Sequence, residues 1–306
     1  MKKFSILLVV IMCALLELRA QQMPLYTQYM MNEFLLNPGS GGKNDFFEAK
    51  SNNRYQWKGI TDAPRTYILS VDGPLKSRKV GVGGYLFTDI TGPTRRTGIY
   101  GSYTYHLKIN EQIKLGMGLS AGLLQFTVDG SKINLHDDAD VALDGSLQSV
   151  LLPDFGFGLN LYSKQFNIGF SAPQLVQNKL NLYSSTSSIG SKLEDHYFIN
   201  GAYRYRPNDD FTIEPSVLVK VLKPVPTQID AGLKVSYRDL IWLGGAYRSL
   251  DAYSAMIGLC IKKHITFAYA HDFTFSNLKN YSSGTHEILV GLKFIKSTEA
   301  KVPSIE

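Results

Sequence analysis

An all-β chain closed into a transmembrane antiparallel barrel of about fourteen strands, of the outer-membrane type, is the fold class this sequence predicts. Three observations carry it. Apolar and polar residues alternate with period two over runs of about ten residues, the length a tilted strand needs to cross hydrocarbon. Short and long connections alternate along the chain. Tyr and Trp gather near strand ends, at Tyr55, Trp57, Tyr197, Tyr205, Tyr237, Trp242, Tyr247 and Tyr253, where a barrel places its aromatic girdles.

Residues 1–20 read as a secretory signal peptide cleaved near Ala20. Lys2 and Lys3 precede the apolar stretch ILLVVIMCALL, and Leu18, Arg19 and Ala20 form the cleavage region before Gln21. The stretch is too short to span a bilayer. Cys13 follows Met12 rather than a small residue, which argues against lipid attachment. Cleavage leaves Cys260 as the one cysteine, so no intramolecular disulfide can form. It also lowers the net charge from +6 to +4 by removing Lys2, Lys3, Arg19 and Glu17. That surplus is spread out and supplies no basic stripe for nucleic acid. Nor does a later apolar run suggest a transmembrane helix.

Residues 21–44 form an N-terminal segment ahead of the barrel, expected on the periplasmic side. Its PLYTQYMMNEFLLNP stretch does not alternate and is too apolar for a linker. As a short helix or an extended plug it would present Tyr26, Gln28, Tyr29, Met30, Phe34, Leu35, Asn37 and Pro38 for contact. Its apolar side chains need a covering surface, either the barrel's own lumen or rim or another protein.

The barrel follows over 45–295, with strands at 45–57, 65–73, 79–89, 95–107, 111–127, 154–162, 164–171, 195–206, 210–221, 227–237, 240–249, 252–261, 264–275 and 285–295. In QIKLGMGLSAGLLQF, Ile113, Leu115, Met117, Leu119, Ala121 and Leu123 share the lipid face, and Gly116, Gly118, Ser120 and Gly122 the lumen face. In the first hairpin Tyr55, Trp57, Tyr67, Leu69 and Val71 are expected to face lipid. The even-numbered connections are short, as periplasmic turns are, and the odd-numbered ones include the two longest, 128–153 and 172–194. Residues 296–306 form a periplasmic tail. Arg54, Arg204, Arg206, Lys234, Asp230, Arg248 and Asp272 fall on the lumen face, where they could form a charged network that closes it.

Motifs of catalysis do not survive their context. Residues 118–122 fit G-x-S-x-G, but that motif needs a strand-to-helix elbow and here lies within one strand. Residues 116–121 fit a dinucleotide fingerprint without its helix. His136, Asp137, Asp138 and Asp140, with Asp144 nearby, form an acidic external loop that is the one weak metal candidate; it could hold Ca²⁺ or reach lipopolysaccharide through a divalent cation, although its spacing matches no known calcium loop. The remaining histidines are scattered singly, without ligand spacing. No enzyme and no cofactor are expected.

NRYQWKGITDAPRTYILSVDGPL (53–75) resembles the most recognisable stretch of the PorP/SprF family, outer-membrane proteins of the type IX secretion system in Bacteroidota. Four further segments match its pattern in order: QQMPLYTQYMMNEFLLNPGSGG (21–42), PDFGFGLNLYSKQFNIGFSAPQL (153–175), the block 215–258, and GTHEILVGLKF (284–294). On this resemblance Trp57, Pro64, Asp72, Gly73, Pro74, His286 and Glu287 are structural motif positions. The usual Asn-Pro-Ala-Tyr-Ala-Gly stands here as Asn37, Pro38, Gly39, Ser40, Gly41 and Gly42. The resemblance implies a non-enzymatic outer-membrane component that meets the lipids around it and the periplasmic ring lipoprotein complex. It also implies support for a large surface adhesin, exported through its C-terminal domain, in gliding motility. A rival reading, a diffusion channel or transporter for small or hydrophobic solutes, follows from the lumen that about fourteen strands can enclose. An outer-membrane hydrolase would need a convergent Ser/His/Asp set, which the sequence does not assemble.

Overall fold

In the computed structural model, which describes residues 26–133, 147–178, 193–222 and 225–295, period-two alternation becomes fourteen strands. They are β1 (Phe47–Tyr55), β2 (Arg65–Pro74), β3 (Val80–Thr91), β4 (Thr94–Lys108), β5 (Lys114–Asp129), β6 (Leu147–Tyr162), β7 (Phe166–Gln174), β8 (His196–Tyr203), β9 (Phe211–Leu222), β10 (Gln228–Tyr237), β11 (Ile241–Arg248), β12 (Ala252–Ile261), β13 (Ile265–Thr274) and β14 (Thr285–Phe294). Every neighbour is antiparallel, and β14 pairs back onto β1 with Val290 opposite Ser51, so the sheet closes and no edge is left for another chain to extend.

The outward face is apolar. Leu69, Leu86, Ile99, Leu119, Ile168, Ile199, Leu243 and Ile257 stand on it, each roughly half exposed in the absence of lipid. Aromatic pairs flank this band: Tyr55 against Tyr67 and Tyr247 against Tyr253 at the long-loop end, Phe211 against Tyr237 at the short-turn end. Leu119 lies midway up β5, so Leu119→Arg should lower stability by about 2–4 kcal/mol, read as a lower urea midpoint in lipid vesicles.

β4 to β6, of 15, 16 and 16 residues, form a taller wall than the rest. Its outer end carries outward polar pairs, Thr97 with Thr88 of β3 (3.3 Å) and Gln125 with Ser149 (3.1 Å), so this part stands above the hydrocarbon.

Three expectations are corrected. Trp57 does not face lipid from β1; it lies in the outer turn beyond it with φ +49°. β6 begins at Leu147 rather than 154, because Pro153 does not break it. Pairing with β7 runs only from Phe157 to Tyr162, so the proline sits where no ladder bond is required of its nitrogen. β8 ends at Tyr203, and one isolated bridge, Tyr205 to Ile213, continues toward the turn.

The lumen is not uniformly polar. In the half toward the long loops, Ile68, Phe87, Tyr100, Leu124, Phe126 and Leu218 point inward and form one hydrophobic cluster. Alternation identified which residues share a face. It carried no information that some inward positions would bury apolar side chains against something inside.

Candidate functional site: the N-terminal segment in the lumen

That something is the chain ahead of β1. From Tyr26 to Gly42 it runs inside the barrel, and all of it is buried except Met30, Met31 and Glu33, which are half-buried. Three 3-10 turns, Tyr29–Met31, Glu33–Leu35 and Pro38–Ser40, fold it into a compact plug. Tyr26, Tyr29, Leu35 and Leu36 join the lumen cluster, and Met30 and Met31 pack on a second one made by Trp242, Met256, Ala268, Ala270 and Leu289. Burial pushes the Tyr29 phenol up to about 12, and it stays a neutral hydroxyl bonded to Ser216 at 3.0 Å.

At its upper end the plug is held by charge. Thr27 N–H donates to Glu287 at 2.8 Å and Gln28 N–H to the same carboxylate at 3.1 Å. The Thr27 hydroxyl donates to Asp272 at 2.8 Å while accepting from Arg54 at 2.7 Å and Arg248 at 3.1 Å. Around it cations and carboxylates alternate: Lys220 on Asp230 (2.8 Å), Asp230 on Arg248 (3.3 Å), Arg248 on Asp272 (3.0 Å), Asp272 on Arg54 (2.9 Å), and Arg54 on Glu287 (3.0 Å). None of these side chains is more than 9% exposed, so each charge depends on its partner rather than on water.

At its lower end the plug is held by backbone. Asn37 caps its own turn by accepting from Gly39 N–H at 2.8 Å and donates its amide to the Leu159 carbonyl at 2.8 Å. The wall satisfies the carbonyls that the turn cannot: Ser171 donates to Leu36 O at 2.6 Å, Thr104 to Pro38 O at 2.7 Å, and His106 to Gly41 O at 3.0 Å. A carbonyl only accepts, so His106 carries its proton on Nε2, and Nδ1 accepts from the Tyr162 hydroxyl at 2.9 Å.

Such close approach requires bare backbone on the wall. A Cβ on Gly158 would lie 2.0 Å from Asn37 Oδ1, and one on Gly118 would lie 2.3 Å from the Pro38 carbonyl carbon. The run that fits G-x-S-x-G is thus part of a seat for residues 37–39.

The expected site residues divide accordingly. Tyr26, Gln28, Tyr29, Phe34, Leu35, Asn37 and Pro38 meet the barrel's own interior. Asp72 accepts from Gly42 N–H at 2.9 Å where the segment enters, and a Cβ on Gly42 would lie 2.7 Å from Gly73 O. Glu287 is the latch carboxylate, whereas His286 bonds Tyr269 (2.7 Å). Trp57 N–H donates to Thr285 at 3.1 Å, and Pro64 O accepts from Gln56, so both organise the first outer turn. Arg54, Asp230, Arg248 and Asp272 converge on the plug, while Arg204, Arg206 and Lys234 lie at the other end, paired with Glu214 and Asp239. His136, Asp137, Asp138, Asp140 and Asp144 fall outside the described residues. Thr104, His106 and Ser171 sit at inward strand positions where alternation places them, without a sequence sign that they are contacts, and Thr27, in the segment that does not alternate, has no such sign at all.

Below the plug a vestibule of about 490 Å³ opens toward the short turns. Met30, Met31, Phe34 and Trp242 line its inner part; Lys43, Lys50, Lys234, Lys263, Lys293, Arg204, Arg206, Glu33, Glu48 and Glu214 line its walls, with Cys260 among them.

Lipid outside, its own chain within, and closure by hydrogen-bonded strands make this molecule an integral β-barrel of the outer membrane. Sequence comparison narrows the class: the type IX secretion system membrane protein PorP/SprF profile matches residues 18–292, and the chain belongs to that family. No curated protein matches it significantly. Among solved structures it is similar to a Pseudomonas aeruginosa FadL homologue (12% identity, TM-score 0.50, covering 90% of this chain and 95% of that one). It is similar also to the Ralstonia pickettii toluene transporter TbuX (10% identity, TM-score 0.51, 87% and 92%). A third is the CymD monoaromatic hydrocarbon channel (12% identity, TM-score 0.51, 89% and 92%). At such identities the likeness is one of fold.

Proposed function

We propose that this protein acts without chemistry of its own, anchoring the periplasmic ring lipoproteins of the type IX system at the outer membrane and supporting export and surface display of an adhesin used in gliding. The observation that supports this over a solute channel is the plug: it is bonded to the wall on several sides of the lumen, from Glu287 to Leu159. A lumen filled this way serves a scaffold better than a conduit, and leaves the molecule's surfaces to carry its role. Deleting residues 24–38 tests the plug's part in it. The barrel should still insert and migrate in a heat-modifiable form, because all fourteen strands and their closure lie outside the deletion. Secretion of the adhesin should fail. Normal secretion by the deletion strain would count against any role for this segment.

A further inference from the structure

The short-turn end of the barrel is electrically lopsided. Its acidic side chains are engaged: Asp45 with Arg78 (3.2 Å), Asp210 with Arg238 (2.7 Å), Asp239 with Arg206 (3.4 Å), and Glu111 with Lys108 (2.5 Å). Among the described residues only Asp209 of the turn carboxylates stands without a cation. Lys76, Lys79, Lys114, Lys164, Lys262 and Lys263 lie on or beside the same turns, and none has a carboxylate within ion-pair distance among the described residues. The excess is therefore lysine that the barrel's own charges leave uncompensated.

Lys262 and Lys263 occupy left-handed positions of a tight hairpin turn, with φ of +48° and +61°, and Arg238 does so in the preceding short turn with φ of +52°. Such positions favour glycine or asparagine. In the earlier turn the charges pair locally, Arg238 with Asp210 and Asp239 (φ +53°) with Arg206, whereas Lys262 and Lys263 have no carboxylate partner among the described residues and their charges stay free. Deeper in the vestibule Lys43, Lys50 and Lys234 are already paired with Glu33, Glu48 and Glu214, but Lys263 and Lys293 at its mouth have no such partner among the described residues. Inward cations of this kind cannot reach phospholipid headgroups lying outside the barrel.

We propose that the periplasmic turns, together with the vestibule they surround, form an electrostatic docking face for an acidic surface of a periplasmic protein. The docking face rests on the anchoring role above and supplies the contact which that role requires. Long-range attraction steers the partner in, and its carboxylates replace the missing counter-charges on the lysine ring.

A zero-length amine-to-carboxylate crosslinker applied to native outer membranes tests it, with mass-spectrometric mapping of the linked peptides. Lys76, Lys164, Lys262 and Lys263 should link to Asp or Glu of a periplasmic secretion-system protein. In the Lys76→Glu, Lys164→Glu, Lys262→Glu, Lys263→Glu variant, co-purification of that protein should fall at least about tenfold, since reversed rim charges repel an acidic face. Absence of intermolecular links from these lysines in the unaltered protein overturns the docking face without reference to any variant. So does a heat-modifiable variant that keeps its partner, or one that loses only bound anionic phospholipid. A strain lacking the whole protein reads the anchoring role separately: if it secretes normally the role fails, whereas if it fails to secrete while the charge-reversed variant secretes and keeps its partner, only the docking face does.

Discussion

Arg248→Met should destabilise the protein by about 3–5 kcal/mol, because it removes one partner from a buried ion network and leaves the carboxylates behind. Arg248 is 2% exposed and bonds Asp230, Asp272, Asp251 and the Thr27 hydroxyl. Methionine fills a similar volume but donates nothing. Asp272 retains Arg54 and Asp230 retains Lys220, one cation each where they had two, while Asp251 loses its cation and the network is left with surplus negative charge. A lower urea midpoint in lipid vesicles measures the loss, and labelling of a cysteine placed at Thr27 reports whether the plug's upper end has come free. Two comparisons isolate the cause. Arg248→Met combined with Asp272→Asn should cost less than Arg248→Met alone, since the second change removes the surplus negative charge that the lost guanidinium leaves in the network. Arg238→Ala breaks an exposed pair with Asp210 and a contact with the Tyr237 ring, both in water, and should leave the urea midpoint close to that of the parent. Equal stability of Arg248→Met and the parent protein would show that the network does not hold the fold together.

How far this arrangement can be read from the residues differs between wall and plug. Strands follow from local information: Leu115, Met117, Leu119 and Ala121 alternate with Gly116, Gly118 and Ser120, and one period suffices to name a face. Where the signal failed, as at Pro153, a local breaker was tolerated by a non-local circumstance, the early end of β7 pairing. The plug's site is non-local throughout. Thr27 and Glu287 are 260 residues apart, and neither has a neighbour that hints at the other. Arg54, Arg248, Asp230 and Asp272 were legible as lumen charges, but their convergence depends on which strands barrel closure brings together. The seat glycines were legible only as small residues; that Gly158 and Gly118 are bare to admit Asn37 and Pro38 needs the plug in place.

That same seat predicts how to open the barrel without unfolding it. Gly158→Val places a branched side chain on β6 where Asn37 Oδ1 would be 2.0 Å from the Cβ, Pro38 Cδ 2.9 Å and Gly39 N 3.0 Å. A separation of 2.0 Å is far inside van der Waals contact, and Gly39 N and Pro38 belong to a turn fixed by Asn37's own cap, so the turn must leave as a unit. β6 itself should tolerate the change, because valine suits a strand and the outward face is untouched. Displacement forfeits the Asn37, Thr104, His106 and Ser171 bonds, and the lower plug loses its hold on the wall. In planar bilayers the parent should show no steady channel and Gly158→Val should show conductance steps, with both proteins heat-modifiable. Gly101→Val is the control for adding valine to the wall away from the seat: Gly101 lies on the outward face of β4 with nothing within 4 Å of its added Cβ, and the variant should remain closed. Equal conductance of parent and Gly158→Val, whether both open or both closed, would mean that contact between residues 37–39 and this wall does not close the lumen.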